Sequence, residues 1–380
     1  MPVPRSGFVF ATCQVGAEIA VKADVARSHP GLRPGFQRPG LVTFVAEPSW
    51  NPVATLGSPF VRACGASAGP AASVDAVVAA VRSLGEAHLF VFPRDVGRPG
   101  HEPPALVEAA QAHAAATEAA LRATRRFLPP RPPKRGEAVV DVVTAIDEPA
   151  LVGWHVHGPA HVGYPGGRFP IEVPADAPSR SWGKIAEAAM WAEIPFRAGD
   201  VAVEIGDANG GAAAWLLQQG LSVWVTDGDP LDPRLVASAG PRLHHVRKMV
   251  RDVTPRDLPD RAQWLLLDLA VSAPLALRAV RPLVPRLRRD LCGFVFMLKL
   301  SDWSLARHLG GWTSQLREMG AEEIRFRQLV ANRREVCAVG LTAAGMARVG
   351  RAPPEVPEPV IARRGPASRG SRGGAGRGRP

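Results

Sequence analysis

Val201-Ala-Val-Glu-Ile-Gly-Asp-Ala-Asn-Gly-Gly-Ala-Ala-Ala-Trp215 decides how the chain is read. An apolar run, a glycine-rich turn and an alanine-rich stretch make a strand–turn–helix unit. Glycines in the turn permit positive φ and close backbone approach to a ligand. Working outward, the strand pattern recurs in Leu221-Ser-Val-Trp-Val-Thr-Asp227, Gln263-Trp-Leu-Leu-Leu-Asp268 and Gly293-Phe-Val-Phe-Met-Leu-Lys299, with helical stretches between. This alternation predicts an α/β fold with a Rossmann-like, doubly wound and mostly parallel sheet. Ligands of such sheets sit at the carboxyl ends of the strands. Glu204, Asp227, Asp268 and Lys299 end these strands, so residues far apart in sequence form one candidate constellation.

The turn offers Gly206, Ala208, Asn209, Gly210 and Gly211 to a ligand. Asp227 follows Gly206 by 21 residues, a position from which a carboxylate bonds ribose hydroxyls. A dinucleotide or S-adenosylmethionine fits, as does a structural turn with no ligand. The spacing GxxxGG is a poor match to the dinucleotide pattern GxGxxG.

Upstream, strand-like Phe8–Cys13, a helical stretch from Gly16 to Ser28 and strand-like Gly40–Ala46 read as β-α-β of the ferredoxin type. Helical Ser73–Leu84, strand-like Ala87–Phe92, a helix over 104–126 and strand-like Glu137–Thr144 follow. Past Arg351 the chain turns Pro-rich, then Arg/Gly-rich. Residues 361–380 hold six Arg and no acid, a composition that predicts disorder. Such a tail reads either as an electrostatic tether for RNA or as a solvated end. The expected division is 1–60, a ferredoxin-like module; 61–170, a second α+β region; 171–348, the Rossmann-like domain; and 349–380, the tail.

The 380 residues carry a net charge of +11, which suits a polyanionic partner without identifying it. Only five of the 46 basic residues are lysines: Lys22, Lys134, Lys184, Lys248 and Lys299. Arg cannot deprotonate at working pH and Lys can, so each lysine draws attention. Lys184, Lys299, Asp268 and Glu335, brought into one cleft, suit proton abstraction from a hydroxyl. Burial and the second lysine are expected to lower the pKa of the base. Cys13, Cys64, Cys292 and Cys337 show no metal or disulfide spacing, and no apolar run is long enough for a membrane span. The cytoplasm is the default compartment, and no metal site is expected. His155, His157 and His161 read as ordinary polar strand residues rather than metal ligands, because no acid or cysteine stands beside them in sequence. Trp182 and Trp303 suit base stacking or core packing.

At these residues the chain resembles the FtsJ-like RNA ribose 2′-O-methyltransferases and, within them, the bacterial large-subunit ribosomal-RNA cytidine 2′-O-methyltransferases of the RlmM type. Pro174-Ala-Asp-Ala-Pro-Ser-Arg-Ser181 with Lys184, Glu204-Ile-Gly206 with Gly210-Gly211, Trp264–Asp268, Phe296-Met-Leu-Lys-Leu300 and Arg327-Gln-Leu-Val-Ala-Asn-Arg-Arg-Glu-Val336 carry the resemblance, in family order across roughly 160–340. It implies a catalytic tetrad of Lys184, Asp268, Lys299 and Glu335, with Lys299 as base on an RNA 2′-hydroxyl. It also implies S-adenosylmethionine as cofactor, held by Ser181, the turn residues, Asp227 and Asp268. A THUMP RNA-binding domain is implied over 61–170, and RNA, ribosomal RNA above all, as partner to a monomer or homodimer with no membrane association. Two departures stand out. The family's Pro-Gly-Gly-Trp loop is Asn209-Gly-Gly-Ala212 here, and Met249 occupies the place of an adenine-side acid. Two other readings remain: a non-catalytic RNA-binding protein on a methyltransferase fold, and a methyltransferase of a non-RNA substrate.

Overall fold

Strands rich in Val, Phe and Leu dominate both halves of the chain, and two sheets result. The computed structural model describes residues 4–207 and 209–350. The tail expectation for 349–380 therefore lies almost wholly outside the described residues. Ala208 is outside them too.

The first sheet comprises β1 (Ser6–Thr12), β2 (Leu32–Arg38), β3 (Leu41–Trp50), β4 (Ala63–Ala71), β5 (His88–Pro93), β6 (Ala138–Ala145) and β7 (Glu148–Val156). Its order is β2-β3-β1-β4-β7-β6-β5. All neighbours run antiparallel except β5 and β6. The sheet runs without a break through both stretches read as 1–60 and 61–170. Helices α1 (Glu18–Ser28), α2 (Val74–Ala80) and α3 (Pro104–Thr124) accompany it.

The second sheet comprises β8 (Val201–Gly206), β9 (Ser222–Thr226), β10 (Leu243–Val246), β11 (Trp264–Asp268), β12 (Gly293–Lys299), β13 (Glu323–Arg327) and β14 (Glu335–Leu341). Its order is β10-β9-β8-β11-β12-β14-β13. The first five are parallel, while β14 runs antiparallel between β12 and β13. Succession reverses between β8 and β11, which makes their carboxyl ends the topological switch point. The doubly wound sheet expected from the sequence is thus present, extended by the single antiparallel strand β14 and by β13, which runs in the direction of the first five. Helix α4 (Ser181–Ala192) precedes β8, and α5 (Gly211–Gln218) follows it.

One apolar cluster reaches from Val9 and Phe44 in the first sheet to Phe294 and Val336 in the second. Trp303 lies on this seam, edge-on to Phe60 at 5.9 Å, so it is a packing residue. The seam also carries buried polar contacts. Gln14, just past β1, donates to the Asn332 carbonyl at 2.6 Å and accepts from Gln328 at 2.8 Å. The first sheet thereby grips the loop that leads into β14.

Candidate active site

The site is assembled by strand register. Pairing of β12 with β14 sets Lys299 opposite Glu335, and pairing of β8 with β11 sets Asp268 beside Gly206. The fourth member comes from α4, whose first turn carries Ser181 and Lys184 on one face at i, i+3 spacing.

The four charged groups close into a ring. Lys184 Nζ lies 3.0 Å from Asp268 Oδ2 and 2.7 Å from Glu335 Oε1. Lys299 Nζ lies 2.6 Å from Asp268 Oδ1 and also contacts Glu335 Oε2. Cations and anions alternate, so the formal charge is zero. Ser181 Oγ donates to Asp268 Oδ2 at 3.2 Å. The Lys184 and Glu335 side chains are buried, whereas that of Lys299 is 29 % exposed, which makes it the ring's outlet to solvent.

This arrangement corrects one expectation. Lys299 is not a lysine of lowered pKa. Burial pulls its pKa down, but Asp268 and Glu335 outweigh burial and raise it above the ordinary value. Each ammonium faces two carboxylates at contact distance, so repulsion between the lysines is not the leading effect. Burial likewise pushes the Asp268 carboxyl up, and Lys184 and Lys299 overcome it and hold it below its ordinary range.

Beside the ring lies an acidic crest. Glu204 is wholly buried, its Oε2 has no hydrogen-bond partner, and burial with Asp207, Asp268 and Asp227 nearby raises its pKa well above the ordinary value. Asp207 is pushed up to about 6, first by burial and then by Asp268. Its Oδ2 accepts the N–H of Ala212 at 2.9 Å at the start of α5. Asp227 follows β9 and accepts the Asp229 N–H at 2.9 Å.

The turn itself is tightly wound, with φ of 84° at Gly206, 100° at Asp207, 79° at Asn209 and 81° at Gly210. Protein occupies much of the space beside its glycines. A Cβ at Gly206 would stand 2.7 Å from the Asp268 carbonyl oxygen, and one at Gly211 would collide with Ser179. Asn209 bridges to Leu231. The structure therefore gathers Ser181, Gly206 and Asp207 around the tetrad, while Asn209 is tied toward the segment after β9.

Several contributors escaped the sequence reading. Glu187, one further turn along the Lys184 face of α4, is buried and accepts the Val330 N–H at 3.0 and 2.9 Å. Its i+3 spacing from Lys184 was the available signal. Asn332 is fully buried, and its Nδ2 donates to the Glu335 carbonyl at 3.5 Å. Trp182, which the sequence did single out for stacking or packing, donates to Gln218 at 3.2 Å.

With this geometry in view, comparison with known proteins is informative. A ribosomal RNA large subunit methyltransferase M from Marinobacter nauticus is 32 % identical over 161 residues, covering 38 % of this chain and 42 % of that protein. One of the same name from Alkalilimnicola ehrlichii is 35 % identical over 117 residues, covering 29 % and 31 %. Part of this chain is thus similar to ribosomal RNA large subunit methyltransferase M. The matched part spans less than half the length of either relative. No family model matches the chain. Among solved structures, TrmN from Thermus thermophilus is matched at 14 % identity over 88 % of this chain and 99 % of its own, with a TM-score of 0.33.

Proposed function

We propose that the chain methylates RNA on ribose 2′-hydroxyls with S-adenosylmethionine, large-subunit ribosomal RNA being the substrate class named by its relatives. The closed ring of Lys184, Asp268, Lys299 and Glu335 at the switch point carries this reading. Similarity to the two methyltransferases supports it.

The residues at the crest suit the cofactor. Glu204 holds a buried carboxylate oxygen without a partner, among three further acids. A sulfonium cation supplies the missing positive charge, and ribose hydroxyls supply donors. Ser181, Asp268, Asp227 and the turn from Gly206 through Ala208 to Gly211 would hold it. Bound there, S-adenosylmethionine supplies the electrophilic methyl group.

The chain's own groups handle the proton. Lys299 Nζ is protonated in the ring as it stands, so it must release a proton before it can accept one from a 2′-hydroxyl. Its exposed edge gives that proton a way to solvent. RNA laid over the edge completes the burial of Lys299, and desolvation favours the neutral amine. Lys184 and Glu335 then fix the position of Lys299, and orientation supplies much of the rate. The segment 61–170 serves in this reading as the THUMP-like RNA-holding part.

The test is methyl transfer from labelled S-adenosylmethionine to RNA, followed by digestion to nucleosides. A 2′-O-methylnucleoside is expected. Lys299→Ala should cut the rate by about 10²–10⁴-fold with cofactor binding retained by calorimetry. The raised pKa of Lys299 favours one other reading, an RNA-binding protein without catalysis. Measured RNA and cofactor binding with no methylated nucleoside would establish that reading instead.

A further inference from the structure

A cavity of about 180 Å³ lies between the two sheets. Arg62 at the approach to β4, Asp141 of β6, His155 of β7, His161 of the connecting segment, Trp191 of α4 and Arg327 of β13 border it. Among the described residues, eleven buried side-chain nitrogen and oxygen atoms lack a hydrogen bond, and five of them belong to residues lining this cavity: Arg62 Nε, Asp141 Oδ1, His155 Nε2, His161 Nε2 and Arg327 Nε. Buried polar atoms are nearly always paired. Their concentration here marks a place built for a polar ligand.

The charges say which kind. Arg327 is 8 % exposed, and its Nη2 donates to the Gly167 carbonyl at 2.7 Å. It makes no ion pair among the described residues. Arg62 is buried as well, but Asp95 takes it at 2.8 and 2.7 Å, and Arg168 shares the same carboxylate. Asp141 adds a carboxylate to the lining, but its Oδ2 is taken by His155 at 2.6 Å, so Arg327 is left as the buried guanidinium with no carboxylate at contact distance. A buried cation without a counter-ion is costly. His161 adds a neutral donor: its Nδ1 accepts the Gly158 N–H at 3.1 Å, which puts the ring proton on Nε2. The His155 and His161 rings stack at 4.5 Å and 12°, so their nitrogens lie side by side rather than converging as metal ligands do. Among the described residues no group of histidine, cysteine and acid side chains is arranged to hold a metal ion. The histidines are therefore not ordinary strand residues as the sequence suggested. An acid absent from their sequence neighbourhood, Asp141, meets His155 Nδ1 at 2.6 Å across the sheet. A cavity of about 150 Å³ can hold benzene, so this one has room for a single tetrahedral oxyanion.

We propose that the cavity binds one phosphate group, through Arg327 and Arg62 with His161 as a further donor. The phosphate is either a free or monoester phosphate, which can also donate a P–OH to Asp141 Oδ1, or a phosphodiester of bound RNA, which cannot.

Thermal unfolding of the full chain in sodium phosphate, against sodium chloride of equal ionic strength, reads the first source. A rise of about 2–4 °C is expected, and it should vanish in Arg327→Gln. His161→Phe, which keeps a stacking ring and removes the donor, should diminish it and serves if Arg327→Gln fails to fold. Filter binding of RNA across a salt series reads the second source. There Arg327→Gln should lower the log–log salt slope by about one. A thermal rise with an unchanged slope assigns the site to free phosphate, and a changed slope without a thermal rise assigns it to RNA. No rise in the unsubstituted protein, together with an unchanged slope in Arg327→Gln, would overturn the proposal. The phosphate arm needs neither RNA nor cofactor, so its outcome is separate from that of the methyltransferase reading.

Discussion

The ring on the second sheet and the cavity between the sheets bury similar side chains in opposite ways. In the ring each ammonium touches two carboxylates and each carboxylate two ammoniums. In the cavity the Arg327 guanidinium touches no carboxylate, and ring nitrogens of two histidines are unbonded. Alternation lets buried charges stabilise one another without help. Where alternation fails, the missing partner has to come from outside. A self-sufficient cluster also resists change, which is why Lys299 holds its proton so firmly. The unsatisfied cavity is the more receptive of the two.

The contrast can be broken most forcefully at Glu335. Glu335→Leu leaves Lys184 buried beside a single carboxylate, and should cost about 3–5 kcal/mol in urea unfolding. Pairing it with Lys184→Met should recover much of that loss, since an apolar pair replaces the orphaned charge. If the single variant were as stable as the parent, the ring would not be an interdependent unit.

Acid sharpens the contrast next. Burial, followed by His155 and His157, lowers the pKa of His161 to about 3, and burial lowers that of His157 as well. The unfolded chain therefore binds protons first, below its ordinary value near 6.5. The histidine contribution to stability should fall as pH drops from about 6.5 toward 3, by about 2 kcal/mol at pH 5 for His161 alone. Asp268, lowered by its lysines, contributes its pH dependence only below its ordinary value near 3.8. The raised acids Glu204, Asp207 and Glu187 act in the opposite sense over this range, gaining protons in the folded state as pH falls. The histidine contribution is therefore the difference between the parent and His161→Phe in a urea series between pH 7 and pH 5, and that difference should grow toward pH 5.

Gln14→Ala tests the contact between sheets. It removes one hydrogen bond to Asn332 and one to Gln328. About 1 kcal/mol of stability should be lost, with a larger proportional effect on turnover than on RNA affinity. The smallest change belongs to Arg281→Ala. Its ion pair with Glu318 at 2.9 Å is exposed on both sides, and removal should shift stability by less than about 0.5 kcal/mol.

These differences bear on what the sequence could reveal. Strand ends that change from apolar to charged made Asp268 and Lys299 conspicuous, and the scarcity of lysine singled out Lys184. Parallel strands also announce themselves as unbroken apolar runs, so β8, β9, β11 and β12 were legible. Short or polar strands were not: β2 (Leu-Arg-Pro-Gly-Phe-Gln-Arg) and β13 (Glu-Ile-Arg-Phe-Arg) owe their pairing to neighbours rather than to their own composition. The partners of Arg62, His155 and Gln14 were hidden because each lies in another element, Gln14 being 318 residues from Asn332. The sign of the Lys299 shift was misread for the same reason. Sequence showed the lysines, but only the register showed how many carboxylates each would touch.

One consequence concerns synthesis. Glu335 belongs to β14, the last strand among the described residues, yet that strand lies inside the sheet between β12 and β13. A chain still emerging from the ribosome can pair β8 through β12 and bring Lys184 and Lys299 to Asp268, with two ammoniums sharing one carboxylate. Gln14 meanwhile waits for Asn332. The ring thus closes only after β14 has emerged and inserted beside β12, well after the strands that carry Asp268 and Lys299.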